Sequence, residues 1–304
     1  MKILLFGKNG QVGWELQRSL APLGEVIAPE RHGGDFCGDL LDLDGLKDTV
    51  MRVRPEVIVN AAAYTAVDAA ESDEAAAHAV NAQAPGVLAE AAGALGAWLL
   101  HYSSDQVFDG SGSRPWVEDD MTGPLNMYGR SKLEGERRIQ SACPKHLIVR
   151  TSWVYSPRRK NFASTMLRLA RDQDVLTVVD DQFGAPTGAD LLADVTAHML
   201  RRTRDAGAAA LSGTYHAAAA GETSWHAYAC FVLDSARTAG MALQASSATV
   251  KPVPAAAFPT PARRPHNSRL NTDKLQTTFG LHFPAWQSGV ARMLAELPSG
   301  RSRA

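Results

Sequence analysis

Two residues with acid–base chemistry, Tyr128 and Lys132, stand four positions apart in the sequence. On an α-helix this spacing places both side chains on one face. A cation beside a phenol favours the phenolate, so we expect the pKa of Tyr128 to fall from about 10 towards neutral pH. Such a tyrosine can donate a proton to a developing alkoxide. The spacing also occurs where a surface tyrosine packs on a lysine stem, so the pair needs support from the rest of the chain.

The residues around this pair predict the helix that it requires. Pro124 and Asn126 precede it as a breaker and a cap, and a run of helix-forming residues with mixed charge follows from Ser131 to Gln140. We therefore expect Tyr128 and Lys132 to lie one turn apart near the start of a helix.

A second candidate site lies at the start of the chain, where a short apolar run, 2–6, leads into three glycines spaced G-x-x-G-x-x-G. Val12, Leu16 and Leu20 then recur at helical spacing. A strand, a glycine loop and a helix N-terminus together form a site for pyrophosphate, because glycines allow close backbone approach and the helix supplies free N–H groups. The predicted contacts come from Gly7, Gly10, Gln11, Val12 and Gly13.

The next apolar run, 25–28, ends near an acid that suits the ribose of a dinucleotide. Glu30 lies 17 residues after Gly13, close to where a ribose-binding carboxylate belongs. Arg31 follows and could hold a 2′-phosphate, so both NADH and NADPH are open to this site. Asp39 and Leu40, in an acidic turn, are candidates for contact with adenine.

Strand-like and helix-like segments alternate as far as residue 155, which predicts a doubly wound parallel α/β sheet, the Rossmann type. Several strands end in small or polar residues, such as Ser104 and Asp105 after the run 98–103. A hydroxyl at such a strand end can bind a substrate carbonyl, although Ser and Asp are also common caps. We predict a nucleotide-binding domain over 1–155, a smaller α/β substrate-binding domain over 156–298, and a disordered tail over 299–304.

The composition of the chain, and the motifs that it lacks, disfavour several classes of function. The 304 residues carry a formal net charge of −1, which gives no broad attraction to nucleic acid or anionic membranes. Three widely spaced cysteines and the absence of a signal-like N-terminus predict a cytoplasmic protein. The nine histidines show no metal-ligand spacing, and no serine-hydrolase elbow or Walker A pattern is present. We therefore expect no catalytic metal.

The glycine loop, the hydroxyl after a later strand and Tyr-x-x-x-Lys resemble the extended short-chain dehydrogenase/reductases. The order of further segments is similar to that of the dTDP-4-dehydrorhamnose reductase family. These segments cover nearly the whole chain: GKNGQVG at 7–13, NAAAYTAVD at 60–68, SSDQVFDG at 103–110, RTSWVY at 150–155, DQFGAPT at 181–187, RP at 264–265 and NSRL at 267–270.

The resemblance implies reduction of the C4 keto group of dTDP-4-dehydro-β-L-rhamnose by NAD(P)H, the last step of dTDP-L-rhamnose synthesis. It implies that Tyr128 is the acid, that Lys132 binds ribose and tunes Tyr128, and that Ser104 hydrogen-bonds the carbonyl. Further cofactor contacts follow from Ala63, Tyr64, Thr65 and Tyr102, and substrate contacts from Asp105 and Trp153. The resemblance also implies a homodimer with partly interleaved domains, and some relatives bind Mg²⁺ at the dimer interface.

Two departures from the family and three alternatives remain. The family usually has Thr where Ser104 stands and often Tyr where Gln106 stands, which affects carbonyl orientation and sugar packing.

A sugar-nucleotide 4-epimerase fits many of the same motifs, whereas a 4,6-dehydratase is disfavoured because no Glu follows Asp105. A non-catalytic NADP-binding subunit, similar to the regulatory β subunit of methionine adenosyltransferase, is disfavoured by the intact Ser104, Tyr128, Lys132 and Trp153.

Overall fold

The computed structural model describes residues 1–297, so the tail predicted over 299–304 lies outside the described residues. The strands are β1 (Lys2–Phe6), β2 (Glu25–Ile27), β3 (Val57–Asn60), β4 (Trp98–Ser104), β5 (His146–Thr151), β6 (Val154–Tyr155), β7 (Leu176–Val179), β8 (Phe183–Gly184), β9 (Thr187–Gly188), β10 (Gly213–His216), β11 (Thr223–Ser224) and β12 (Val250–Val253). The α-helices are α1 (Gln11–Leu20), α2 (Leu43–Val53), α3 (Val67–Ala70), α4 (Glu74–His78), α5 (Ala84–Leu95), α6 (Met127–Ala142), α7 (Phe162–Asp172), α8 (Ala189–Arg202), α9 (Trp225–Thr238), α10 (Asp273–Phe279) and α11 (Trp286–Glu296).

The central sheet has six strands in the order β10-β5-β4-β3-β1-β2, and every pairing in it is parallel. From β1 the chain moves to β2 on one side and then through β3, β4 and β5 on the other. This reversal opens a crevice at the carboxyl ends of β1 and β3, where an open α/β sheet binds its ligand. The predicted doubly wound parallel sheet is confirmed.

Helices cover both faces of the sheet, because successive strand side chains point to opposite sides and nearly all of them are apolar. Ile3 and Leu5 of β1 pack into a core with α1 and α8. Leu4 and Phe6 pack on the other face, with α2 and α5. The strands thereby hold their carboxyl ends in fixed register below the candidate sites.

A second apolar core lies outside the sheet and is built mainly from α7, α9, α11, β7 and β12. Two segments that follow residue 155 nevertheless return to the sheet. Helix α8 contributes to the core beneath α1, and β10 pairs with β5 at the sheet edge. Segments on both sides of residue 155 therefore build the sheet and its flanking core, while the boundary at 155 and the interleaving of two domains stay predictions.

The structure also contains elements that the sequence pattern did not predict, namely α3, α4 and α10. Helix α4 continues through a π-helical turn, Ala79–Gln83, into α5. Alanines dominate this region and give little amphipathic contrast, so its periodicity is weak. The π-helical turn carries the buried Asn81, which contacts the candidate site described next.

Candidate active site

The glycine loop packs too tightly for side chains at two of its positions. Gly7 has φ +86°, and a Cβ there would lie 2.6 Å from the backbone nitrogen of Ala62. A Cβ on Gly13 would lie 2.0 Å from the carbonyl oxygen of Gly7. Gly10 precedes α1 without a side-chain cap, so the first N–H groups of the helix are free for an anion. The loop therefore fits a pyrophosphate group at the crevice beside β1.

We expect Gly13→Ala to weaken NADP⁺ binding at least about tenfold, because the loop must open to relieve contact with Gly7 and then loses its fit to pyrophosphate. Isothermal titration calorimetry measures the effect. Gly86→Ala is a matched control, since its Cβ would meet side-chain rather than backbone atoms, with the Arg138 Cδ nearest at 3.2 Å. Equal NADP⁺ affinity in the two variants would contradict this role for the loop.

A cleft of about 410 Å³ continues from the glycine loop along the carboxyl edge of the sheet. Seven predicted cofactor-binding residues line it: Gly7, Gly10, Arg31, Asp39, Leu40, Ala63 and Tyr64. Lys8, a candidate partner of Arg31 at a 2′-phosphate, lines it as well, as do Asn9 and Asp73, which were not among the predicted contacts. Glycines, small apolar groups and a few charges at a topological switch point suit a dinucleotide.

Charged residues at the rim of this cleft are paired with one another. Lys8 Nζ lies 2.8 Å from Glu30 Oε1, and Asn9 Nδ2 donates to Glu30 Oε2 at 2.9 Å. These hydrogen bonds, first from Lys8 and then from Asn9, lower the pKa of Glu30. Arg31 Nε lies 3.3 Å from Asp39 Oδ1. The rim thus offers a carboxylate for a ribose hydroxyl and two cations for a 2′-phosphate.

Four other predicted cofactor residues do not turn their side chains into this cleft. Gln11 Oε1 accepts from Ser156 Oγ at 3.0 Å, which ties the glycine loop to the segment after β6. Val12 packs against the core, and Thr65 is exposed. The Tyr102 hydroxyl is hydrogen-bonded to Thr196 Oγ1 at 2.5 Å beneath α8. Their backbone atoms remain candidates for cofactor contact.

Polar groups without partners lie where β4 and β5 end. The hydroxyls of Ser103, Thr151 and Ser152 are buried and make no hydrogen bond within residues 1–297. Buried hydroxyls normally have partners. A polar ligand seated at this edge would supply them, which agrees with a cofactor and substrate bound above the strand ends.

The predicted acid and the predicted hydroxyl come together at the end of β4. The Ser104 Oγ donates to Asp105 Oδ1 at 3.0 Å and accepts from the Gln106 N–H at 3.1 Å. Ser104 also lies close enough to Tyr128 for its hydroxyl to oppose the rise in the pKa of that phenol. Residues that are 24 positions apart in the chain thus share one cluster.

The expected lowering of the pKa of Tyr128 is wrong for this structure. Burial raises the pKa of Tyr128 to about 12 and outweighs the opposing effects of Ser104 and Arg264. The Lys132 Nζ does not offset it, because that group donates to the Tyr102 carbonyl at 2.6 Å and lies 3.0 Å from His101 Nε2. Tyr128 therefore keeps its proton at neutral pH, as an acid must.

Asp105 is a buried carboxyl whose ionisation costs stability. Burial raises its pKa from 3.8 to about 6, against the opposing hydrogen bonds of Ser268 and Ser104. A raised pKa contributes stability that is present below pH 4 and is lost as the pH rises through 6. A difference of about 2 between the folded and unfolded pKa values corresponds to roughly 3 kcal/mol in the free energy of unfolding.

We expect Asp105→Asn to increase the free energy of unfolding by about 2–3 kcal/mol at pH 7.5 and to change it little at pH 4. Urea unfolding at both pH values measures this, and equal effects at the two pH values would contradict it.

Helix α6 is anchored directly to the Ser104 turn. The Asn126 side chain accepts from the Gly129 N–H at 2.8 Å and so caps the helix, as predicted. The Asn126 amide also donates to Gln106 Oε1 at 2.8 Å. A Cβ on Gly129 would lie 2.1 Å from the Gln106 carbonyl oxygen. Gln106, which departs from the family pattern, therefore helps to set the position of Tyr128.

Trp153 lies in an aromatic stack on the substrate side of the site. Its φ of +48° is unusual for a bulky residue. Its ring stacks on Trp225, with centroids 3.6 Å apart and planes 14° apart. A Cβ on Gly184 would lie 2.7 Å from the Trp153 ring. Stacked indoles suit the apolar face of a sugar, and Trp225 is a candidate that its helix-start position in the sequence did not reveal.

Three further residues near the pair Tyr128 and Lys132 were missed. Asn81 hydrogen-bonds Ser131 Oγ at 3.0 Å. His101 Nε2 lies 3.0 Å from Lys132 Nζ. Arg264 pairs with Asp68 at 2.7 Å, and its charge favours the ionised form of Tyr128. Of these, only Arg264 lies in a segment that the family resemblance included, and sequence spacing gave no signal for the others.

The part of the chain that the structure describes contains no group of three or more His, Cys, Asp or Glu side chains arranged to hold a metal ion. The Mg²⁺ site that the family resemblance suggested therefore has no support from residues 1–297. Among the same residues, no helix has both the length and the apolar character needed to cross a bilayer.

Comparison with known proteins places this site in a family. The model of the RmlD substrate binding domain matches residues 1–299. A dTDP-4-dehydrorhamnose reductase from Shigella flexneri is 56% identical over 297 residues, covering 98% of each chain. The structure of a Clostridium acetobutylicum dTDP-4-dehydrorhamnose reductase has a TM-score of 0.87 and 34% identity, covering 97% of this chain and 99% of that one. The Bacillus anthracis enzyme in complex with NADP has a TM-score of 0.86 and 31% identity, covering 97% and 100%. These matches, together with the Ser104, Tyr128 and Lys132 cluster above a doubly wound sheet, show that the chain belongs to the RmlD family of dTDP-4-dehydrorhamnose reductases.

Proposed function

We propose that this chain reduces the C4 keto group of dTDP-4-dehydro-β-L-rhamnose to give dTDP-L-rhamnose, with NAD(P)H as the cofactor. The observation that carries the proposal is the cluster of Ser104, Asp105 and Tyr128 at the carboxyl edge of the sheet. It lies beside a cleft that fits a dinucleotide. Identity of 56% to a protein named for this activity supports the same reaction.

The residues around the cleft form two groups, one that binds the cofactor and one that binds the sugar. The amides of Gln11 and Val12, next to Gly10, hold the pyrophosphate, and Glu30, Lys8 and Arg31 meet the adenosine ribose or its 2′-phosphate. Asp39, Leu40, Ala63 and Tyr64 enclose the adenosine, while Lys132 holds the nicotinamide ribose. Asp105 and Trp153, with Trp225 behind it, receive the sugar.

The chemical task is to supply a proton to the carbonyl oxygen. When bound, the reduced nicotinamide supplies the hydride that side chains cannot provide. Tyr128 donates a hydrogen bond to the oxygen of the substrate, and Ser104 does the same once its hydroxyl has turned away from Asp105. Both hydrogen bonds strengthen as negative charge develops on that oxygen. Tyr128 then transfers its proton. Because its pKa is raised to about 12, it is fully protonated at the start of the step.

The test is to mix purified protein with enzymatically generated dTDP-4-dehydro-L-rhamnose and follow nicotinamide absorbance with NADPH and NADH in parallel. Stoichiometric loss of absorbance supports the reductase and sets the cofactor preference. Protein that binds NADP⁺ but consumes no reduced cofactor would refute it. Retained oxidised cofactor with sugar interconversion would indicate an epimerase, and a tight heteromeric partner without turnover would indicate a regulatory subunit.

We also propose that the protein acts in the cytoplasm as a homodimer, since this is the form that the family resemblance implies. Sedimentation velocity of the full chain tests the dimer, because a single monomeric species at micromolar concentration would contradict it. Cell fractionation tests the location.

A further inference from the structure

A short basic segment, residues 156–161, connects β6 to α7 and lies against the glycine loop. Three consecutive cations occupy its centre: Arg158, Arg159 and Lys160. The Arg159 guanidinium donates to the Asn9 carbonyl within the loop. The Arg158 guanidinium lies over the Trp14 ring on α1, 4.3 Å from the ring centroid. The segment therefore brings positive charge to the N-terminal end of α1.

Hydrogen bonds at both ends hold this segment in place. At its start, the Ser156 Oγ donates to Gln11 Oε1 at 3.0 Å. At its end, the Asn161 amide donates to the Ser156 carbonyl at 2.6 Å and to the Arg159 carbonyl at 3.1 Å. Asn161 also caps α7 by accepting from the Ser164 N–H at 3.0 Å. Because the backbone that carries Arg159 is already ordered, a ligand that contacts this residue has only the side chain to immobilise.

Arg159 lies next to the backbone amides that suit an anion. The Asn9 carbonyl and the Gly10 N–H belong to the same peptide group. The free N–H groups of α1 follow directly, at Gln11 and Val12. A phosphate oxygen is charged, so it accepts a stronger hydrogen bond from a guanidinium than the neutral Asn9 carbonyl does. We infer that Arg159 binds the pyrophosphate of the nicotinamide cofactor, adding a charged contact to the amides of the glycine loop.

The Arg159 guanidinium has capacity for such a ligand. Among residues 1–297, its only hydrogen bond is the one to the peptide carbonyl of the loop, and a guanidinium has several N–H donors. The two cations that line the cleft, Lys8 and Arg31, are engaged by Glu30 at 2.8 Å and Asp39 at 3.3 Å. Arg159 forms no ion pair within the described part of the chain, so its charge is left for a phosphate.

The alternative ligand for Arg159 is the 2′-phosphate of NADP(H), and the orientation of Asn9 disfavours it. The Asn9 side chain donates at 2.9 Å to Glu30, the carboxylate proposed for the adenosine ribose. The Asn9 carbonyl, by contrast, faces Arg159. The 2′-phosphate thus belongs with Lys8 and Arg31 beside Glu30, whereas Arg159 belongs with the phosphates that NAD(H) and NADP(H) share. Arg159 therefore strengthens the binding of both dinucleotides.

Arg159→Gln tests this contact, with calorimetric titration of NAD⁺ and NADP⁺ in parallel. Arg159 is exposed, so its loss leaves the packed core intact. We expect Kd to rise about fivefold for both dinucleotides, which is the upper range for one solvent-exposed charge contact. Raising the salt concentration from about 0.1 M to about 1 M should shrink the difference between the variant and the unaltered protein, because ions screen the contact.

Arg158→Gln is the matched control, since it removes the neighbouring charge from the Trp14 ring rather than from the glycine loop. Its Kd values should stay within about twofold of those of the unaltered protein, because salt screens a charge that does not touch the ligand. An equal loss in Arg158→Gln would refute the inference by showing a general effect of net charge. A loss confined to NADP⁺ would refute it by assigning Arg159 to the 2′-phosphate, and a loss that persists in full at high salt would point to a change in loop shape instead.

The inference rests on the proposed nicotinamide cofactor, and the titrations separate the two. If the unaltered chain bound neither dinucleotide, the proposed cofactor would fail and the inference with it. If the unaltered chain bound both, and Arg159→Gln bound them equally well, only the inference would fail. The titrations need no turnover, so they do not depend on which sugar is reduced.

Discussion

Tyr128→Phe is expected to lower kcat by about 10²–10⁴-fold while NADP⁺ affinity stays close to that of the unaltered protein. The phenol hydroxyl clusters with Ser104 at the carboxyl edge of the sheet, and loss of general acid catalysis has this magnitude. The phenyl ring keeps the packing of α6, and the pyrophosphate loop lies on separate residues. Steady-state kinetics together with calorimetric titration of NADP⁺ measure both quantities.

Tyr215→Phe is the matched control for this substitution. The Tyr215 hydroxyl also has a partner, donating to the Leu211 carbonyl at 2.8 Å, but it belongs to β10 and the core beneath α8. Its loss should cost about 1 kcal/mol of stability and leave kcat unchanged. Near-normal turnover by Tyr128→Phe, or equal losses in the two variants, would show that Tyr128 is not the acid.

Glu136→Gln is expected to lower the free energy of unfolding by about 3–5 kcal/mol. Glu136 and Arg150 form a two-point ion pair at 2.7 and 2.9 Å, and their side chains are 1% and 5% exposed. The guanidinium also lies over the Phe108 ring, 5.1 Å from its centroid. Removing one charge of such a pair leaves the other buried without compensation. Chemical denaturation followed by circular dichroism gives the difference.

Glu134→Gln provides the comparison on the same helix. Glu134 pairs with Arg138 at 3.0 Å, and both side chains are substantially exposed to solvent. An exposed pair of this spacing contributes about 0.3–0.5 kcal/mol. If Glu136→Gln cost no more than Glu134→Gln, the buried pair would not be a principal stabilising contact between α6 and β5.

The elements that the sequence predicted well are those with a strong local signal. The run 2–6 is apolar without interruption and forms β1 within its predicted bounds. Asn126 caps α6, as its side-chain chemistry predicted. The glycine loop was also found correctly, because its conformation depends on positive φ and on backbone approach that side chains would block.

Long-range contacts account for what the sequence did not predict. Spacing alone suggested that Lys132 would lower the pKa of Tyr128, but burial dominates and raises it. The reason is that Lys132 bonds His101 and the Tyr102 carbonyl, on a strand about 30 residues away in the chain. Likewise, the predicted cofactor residue Tyr102 turns its hydroxyl to Thr196, 94 positions later.

By itself, the sequence determined the alternation of strands and helices, the glycine loop and the spacing of Tyr128 and Lys132. These are local properties of period, capping and backbone freedom, so they can be read without knowing which segments meet. Only the tertiary structure decided which way each polar group points. Lys132 meets His101 and the Tyr102 carbonyl because three-dimensional packing brings α6 against β4 in a buried interior. There, hydrogen-bond direction and desolvation, rather than residue type, determine the charge of a group.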